Sequence, residues 1–163
     1  MLPSLALSRK GFTLIEMVTT LAIVGIASAL FYMIWVTNVS TMENHISRAD
    51  LWNDANAIVE RLSVDVREAS QITLNGQGTP TQTATLRDAQ GNLLATYRMS
   101  NAGVFEVQPA GAGNFTILTG FVDYANSSFA LIGKGLALNL TLFDRPLHHL
   151  VSINASTEIY PRN

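Results

Sequence analysis

Apolar residues fall along this chain in three successive patterns, and each predicts a different element. From Phe12 to Val36 they form a nearly continuous run of 25 residues, interrupted by one charge, Glu16, and by scattered Thr and Ser. Wound as a helix the run is about 37 Å long, at ~1.5 Å per residue. That length spans a hydrocarbon core of ~30 Å with some tilt. The apolar positions then thin out to Leu51, Ala55, Ile58, Val59, Leu62, Val66 and Ala69. Their spacing of three and four marks one face of an amphipathic helix. Arg48, Asp50, Asp54, Arg61, Asp65 and Glu68 lie between them and are expected to face mostly solvent, with Arg61 and Asp65 forming an i, i+4 pair. No proline intervenes between Ser4 and Thr79. The two stretches therefore read as one helix from about Phe12 to Ser70, with fraying expected near Asn38 to Thr41.

The third pattern follows the break at Asn75-Gly76-Gln77-Gly78-Thr79-Pro80. Strands are expected over Gln82 to Arg87, Leu93 to Met99, Gly103 to Val107, Asn114 to Leu118, Leu136 to Phe143 and Leu150 to Ile159. Asp88 to Asn92 has the length of a hairpin loop between the first two. Leu138-Asn139-Leu140-Thr141-Leu142 alternates strictly, so that strand buries one face and exposes the other. The amphipathic half-helix needs an apolar partner, and the sheet is the one available. The fold class is α+β: a long N-terminal helix, membrane half plus amphipathic half, packed on an antiparallel β-sheet headgroup.

Composition narrows the chemistry. Charged residues make up 13% of the 163, and the formal charge is −2, which gives no electrostatic footprint for nucleic acid. With no cysteine, disulfides, thiolate metal sites and cysteine nucleophiles are excluded. His148 and His149 are adjacent, so on a strand they face opposite ways and cannot share a metal. They read as a turn beside Pro146, and neither Asp144 nor His45 completes a ligand set. Ser127-Ser128 lacks the setting of a nucleophile elbow, and Gly111-Ala112-Gly113 reads as a loop between strands. Asp123 and Asp144 suit a cation site, but no run of ligands supports one. No enzyme, metal or cofactor can be argued from these residues.

The charges around the apolar run carry more information. Arg9 and Lys10 precede it, and the next Lys or Arg is Arg48; the positive-inside rule puts the N-terminus in the cytoplasm. A secretory signal peptide cut at Ala27-Ser28-Ala29 is one reading, but apolar residues continue past Ala29 and Glu16 falls inside its hydrophobic region. An uncleaved anchor is a second, and it gains nothing from a carboxylate that costs roughly 2.5–3.5 kcal/mol at mid-membrane. A third is a signal cut before the apolar run.

Gly11-Phe12-Thr13-Leu14-Ile15-Glu16-Met17-Val18 closely resembles the signature of type IV pilins and type II secretion pseudopilins. The resemblance implies a leader of residues 1–11, cleavage between Gly11 and Phe12 by a prepilin peptidase, and methylation of Phe12. It implies a transmembrane and filament-core helix over 12–36 and a periplasmic headgroup over 37–163. Glu16 would then pair with the new α-amine of a neighbouring subunit during filament assembly. Gly25 and Ala29, four apart, let helices approach closely, and Gly25 matches a glycine common in that family. Many major pilins carry a proline where this chain has Met33, which points to a minor subunit. Arg61 to Ala69 and Tyr160-Pro161-Arg162-Asn163 resemble minor pilins and J-type minor pseudopilins. The partners implied are the prepilin peptidase, other pilins or pseudopilins through the N-terminal helix, and the inner membrane, with no nucleic acid. The alternative is a surface-displayed subunit binding DNA or a surface, for which Phe115, Phe121, Tyr124 and Phe129 are the residues to inspect.

Overall fold

The computed structural model describes residues 12–77, 79–144 and 150–162. The leader with Gly11, and the His148, His149 and Pro146 turn, lie outside the described residues. The chain divides between Met42 and Glu43 into two compact units.

One helix, α1 (Leu14–Glu68), runs through both units, close to the expected Phe12 to Ser70. It is unbroken across Asn38 to Thr41, where fraying was expected. The local hydroxyls fold back on the helix there, Thr37 Oγ1 donating to the Met33 carbonyl at 2.9 Å and Thr41 Oγ1 to the Thr37 carbonyl at 2.8 Å. In the first unit the helix is apolar and long enough to cross a membrane.

In the second unit the face set by sequence spacing is the buried one: Leu51, Ala55, Ile58, Leu62, Val66 and Ala69 are core, with Val59 packed at its margin. The helix ends as the Ala69 N–H bonds back to the Asp65 and Val66 carbonyls, and Ser70 already donates to Arg87 of the sheet at 2.8 Å.

The sheet expected as one is two. The first is a five-stranded antiparallel meander of β1 (Gln71–Asn75), β2 (Thr81–Arg87), β3 (Leu93–Ser100), β4 (Val104–Pro109) and β5 (Thr116–Thr119), in sequence order. The second holds β6 (Ser128–Ile132), β7 (Gly135–Asp144) and β8 (Val151–Ile159), also antiparallel. β1 and β6 were not expected, and the other six fall within a few residues of their expected bounds. Gly111-Ala112-Gly113 is the loop between β4 and β5, and Asp88 to Asn92 the hairpin loop between β2 and β3.

Side chains and one short segment join the sheets. The Phe129 N–H donates to Gln82 Oε1 at 3.3 Å, and Gln77 Nε2 donates to the Phe129 carbonyl at 3.4 Å. Val122 donates to the Gly103 carbonyl at 3.0 Å and forms a bridge with Leu142 of β7. The core is continuous across the join: the Phe105 ring of β4 lies 6.1 Å from Tyr97 of β3 and 5.9 Å from Phe129 of β6, tilted against both. Leu136, Leu138, Leu140 and Leu142 of β7 are fully buried, as strict alternation requires.

Two of the charges expected in solvent are recruited into the fold. Asp65 accepts a hydrogen bond from the Tyr97 hydroxyl at 2.6 Å, and Asp54 accepts one from Thr119 Oγ1 at 2.9 Å. The Arg61–Asp65 ion pair is not formed; among the described residues the ion pair present is Arg98–Glu106. The physical reason is burial. A phenol and a hydroxyl taken out of water by the sheet need acceptors, and a carboxylate on the facing helix supplies them better than an exposed Arg partner is worth.

Candidate functional site

The residues with a candidate role lie at the start of α1. Thr13 is the N-cap and Glu16 the third residue of the first turn. Glu16 Oε2 accepts from the Thr13 backbone N–H at 2.9 Å and from Thr13 Oγ1 at 3.0 Å, while the Glu16 N–H donates to Thr13 Oγ1 at 3.3 Å. This is a reciprocal capping box, which satisfies helix-end donors that otherwise lack partners. The carboxylate also sits at the positive end of the helix dipole. Thr-x-x-Glu was legible in the sequence as a helix start; the sequence reading gave Glu16 only an intermolecular role.

Beyond the cap, Thr19 and Thr20 bury their hydroxyl hydrogens in the helix's own carbonyls, Thr20 Oγ1 donating to Glu16 O at 2.7 Å. That removes their cost in a bilayer, where no water can serve them. Phe12 is 80% exposed and lines a shallow hollow with Met17, Thr20 and Leu21. A Cβ built on Gly25 meets nothing within 4 Å, and Ala29 is exposed. Among the described residues, none therefore packs against this side of the helix at Gly25.

Residues 7–32 match the family model of the prokaryotic N-terminal methylation motif. The chain carries a prepilin-type signal. The match supports the type IV pilin and pseudopilin family, and the long helix with antiparallel sheets has the layout of a pilin fold. No curated protein and no solved structure matches the chain. A prepilin-type signal implies processing by a prepilin peptidase and assembly with other pilins, and with the apolar helix it fits an inner-membrane anchor.

Away from this signal, the other residues singled out in the sequence take structural places. Ser127 Oγ donates to the Asp123 carbonyl at 2.7 Å and accepts from the Thr141 N–H at 2.9 Å, so it acts as a rung between segments. The Asp123 carboxylate accepts from the Asn126 amide at 2.8 Å, and that of Asp144 from the Ser47 hydroxyl. Among the described residues, no three His, Asp or Glu side chains are grouped to hold a metal. Of the four aromatics, Phe129 is core, Tyr124 packs against the core, and Phe115 lies under the Arg98 guanidinium at 3.9 Å. Phe121, 45% exposed, is the one open to solvent.

Proposed function

We propose that this protein is a minor pilin or minor pseudopilin, a structural subunit that helps initiate or cap a periplasmic filament of a type II secretion or type IV pilus machine. The methylation motif over residues 7–32 carries this reading. The chain inserts in the inner membrane with its N-terminus in the cytoplasm and its headgroup in the periplasm. The prepilin peptidase cuts between Gly11 and Phe12, and Phe12 is methylated. Cleavage leaves a positive amine on Phe12, two residues ahead of the capped turn. The Glu16 carboxylate of one subunit pairs with that amine on its neighbour. Removing one partner of a buried pair costs ~3–5 kcal/mol, so the contact reads subunit register. Gly25, whose Cβ position has nothing within 4 Å among the described residues, and the exposed Ala29 admit the neighbouring helix. Met33 in place of a proline supports a minor rather than a major subunit. A display subunit for DNA or a surface has less support, since Phe121 alone among the four aromatics is exposed.

The test is the mature N-terminus, by mass spectrometry on protein from its own membrane. Methylated Phe12 as first residue is the expected result. A start at Leu30 would mean ordinary secretion and an intact Met1 a plain anchor, and either overturns the proposal.

A further inference from the structure

The aromatic residues of the apolar half of α1 are gathered toward one end. After Phe12 none occurs until Phe31, Tyr32 and Trp35, and Tyr32 is the first Tyr or Trp in the sequence. With 3.6 residues per turn, the three rings fan over about 100° of the helix surface, Trp35 between the other two. They are 74%, 71% and 70% exposed. Among the described residues, neither the Tyr32 hydroxyl nor the Trp35 indole N–H has a hydrogen-bond partner. Such side chains suit neither water nor hydrocarbon alone: the ring favours an apolar neighbour and its polar handle a wet one. The boundary layer of a bilayer offers both, and Trp and Tyr collect there.

Spacing along the helix decides what these rings can hold in place. From Glu16 to Trp35 is about 28 Å, at ~1.5 Å per residue, and a hydrocarbon core is ~30 Å thick. The one carboxylate of the apolar run and its indole therefore stand one hydrocarbon thickness apart, with no charge between them. Sliding the helix one way would draw the Tyr32 and Trp35 handles into hydrocarbon, where no water can serve them. Sliding it the other way would draw in the carboxylate. A single depth satisfies both ends. We propose that Phe31, Tyr32 and Trp35 form a depth stop, seated in the glycerol layer of a phospholipid bilayer, that holds Glu16 at the opposite boundary. At that depth Phe12 lies at the lipid surface, where a peptidase can reach it. The inference rests on the membrane span of the proposed function and adds the depth at which the helix sits.

Depth-dependent fluorescence quenching tests this on the full chain. Trp52→Phe leaves Trp35 as the sole tryptophan, and the protein is placed in phosphatidylcholine vesicles brominated either near the carbonyl or near the end of the acyl chain. Trp35 emission is expected to be quenched at least threefold more strongly by the shallow bromines. Equal or stronger quenching by the deep bromines overturns the depth stop and leaves the span, whereas no quenching at either depth overturns both. The other end is read separately. The chain has no cysteine, so Val18→Cys reports depth beside Glu16 through a membrane-impermeant maleimide added to inverted membrane vesicles. Adding Tyr32→Leu and Trp35→Leu frees the helix to settle toward the Glu16 side, and labelling should rise at least threefold. Adding Tyr32→Trp and Trp35→Tyr instead keeps an interfacial pair and should leave labelling at the starting rate. Unchanged labelling with the Leu pair overturns the depth stop, as does equal acceleration by the exchanged pair. Labelling of Val18→Cys as fast as that of free cysteine overturns the span as well.

Discussion

Thr13 and Glu16 hold one another across the first turn of α1, the carboxylate receiving the Thr13 N–H and hydroxyl at 2.9 and 3.0 Å. One side chain is thus available for two tasks, capping its own helix and pairing with a neighbour's amine, and substitutions can separate them. A capping box works with Gln as well as Glu, but Gln carries no charge. If pairing with the Phe12 amine drives assembly, Glu16→Gln and Glu16→Ala should both lose filament incorporation while cleavage after Gly11 continues. Incorporation of Glu16→Gln at the parent level would leave the cap as the sole role of the carboxylate. Thr13→Ala should loosen the first turn by ~1 kcal/mol, seen as faster amide exchange at Glu16 and Met17, and keep the charge.

Leu62 is 0% exposed and sits mid-way along the buried face of α1. Leu62→Ala should destabilise the headgroup by ~2–5 kcal/mol, measured by denaturant unfolding. Val64→Ala, on the exposed side of the same turn, should change stability by less than ~0.5 kcal/mol. Equal effects would mean the helix does not pack through the Leu62 face.

The Tyr97–Asp65 bond makes a pH prediction. Burial first, then the hydrogen bond and charge of Asp65, push the Tyr97 phenol well above its usual value. The folded state therefore keeps a proton that the unfolded chain gives up near pH ~10. Stability from this group is intact below that pH and declines as pH rises through and beyond it. Tyr97→Phe should cost ~1.5–3 kcal/mol at neutral pH, the worth of a hydrogen bond to a charged group, and should flatten the alkaline decline. An unchanged decline in the variant would assign it to other groups.

Gly76 turns the chain between β1 and β2 with φ +75°, and a Cβ there would collide with the Thr81 carbonyl oxygen. Gly91 has φ +84° but open space around it. Both Ala substitutions meet the backbone cost of that conformation, ~1–2 kcal/mol. Gly76→Ala adds a backbone clash and should be the more destabilising of the two by thermal unfolding. The reverse order would show that the β1–β2 turn yields easily.

Most of α1 was legible because period alone decides it: seven apolar positions between Leu51 and Ala69 fall on the face that the structure buries. β7 was legible for the same reason at period two. β1 was missed although Gln71-Ile72-Thr73-Leu74-Asn75 alternates cleanly, because five residues between a helix and a turn are too few to outweigh the break beside them. β6 was missed because Ser128-Phe129-Ala130-Leu131-Ile132 has no alternation, its pairing being set by β7 rather than by its own pattern. The division into two sheets could not be read at all. Where the sheets meet, the Gln77 and Gln82 side chains rather than strand backbone bond the Phe129 backbone, contacts between residues about 50 positions apart that leave no local trace. At the helix start, Thr13-Leu14-Ile15-Glu16 has the spacing of a capping box, and the same residues carry the signature that points the carboxylate at a neighbouring subunit, so one motif holds both roles.

The order in which the chain is made gives the buried face of α1 a further meaning. Leu51, Ala55 and Ile58 leave the ribosome before any strand exists, while Leu136 to Leu142 of β7 and Val151 to Ile159 of β8, part of the same core, come last. Until those last strands are made, part of this apolar ridge stands uncovered, directly behind a segment long and apolar enough to cross a membrane. A newborn chain of this kind is at its stickiest before β7 and β8 close the core, and the final hairpin is what completes its cover.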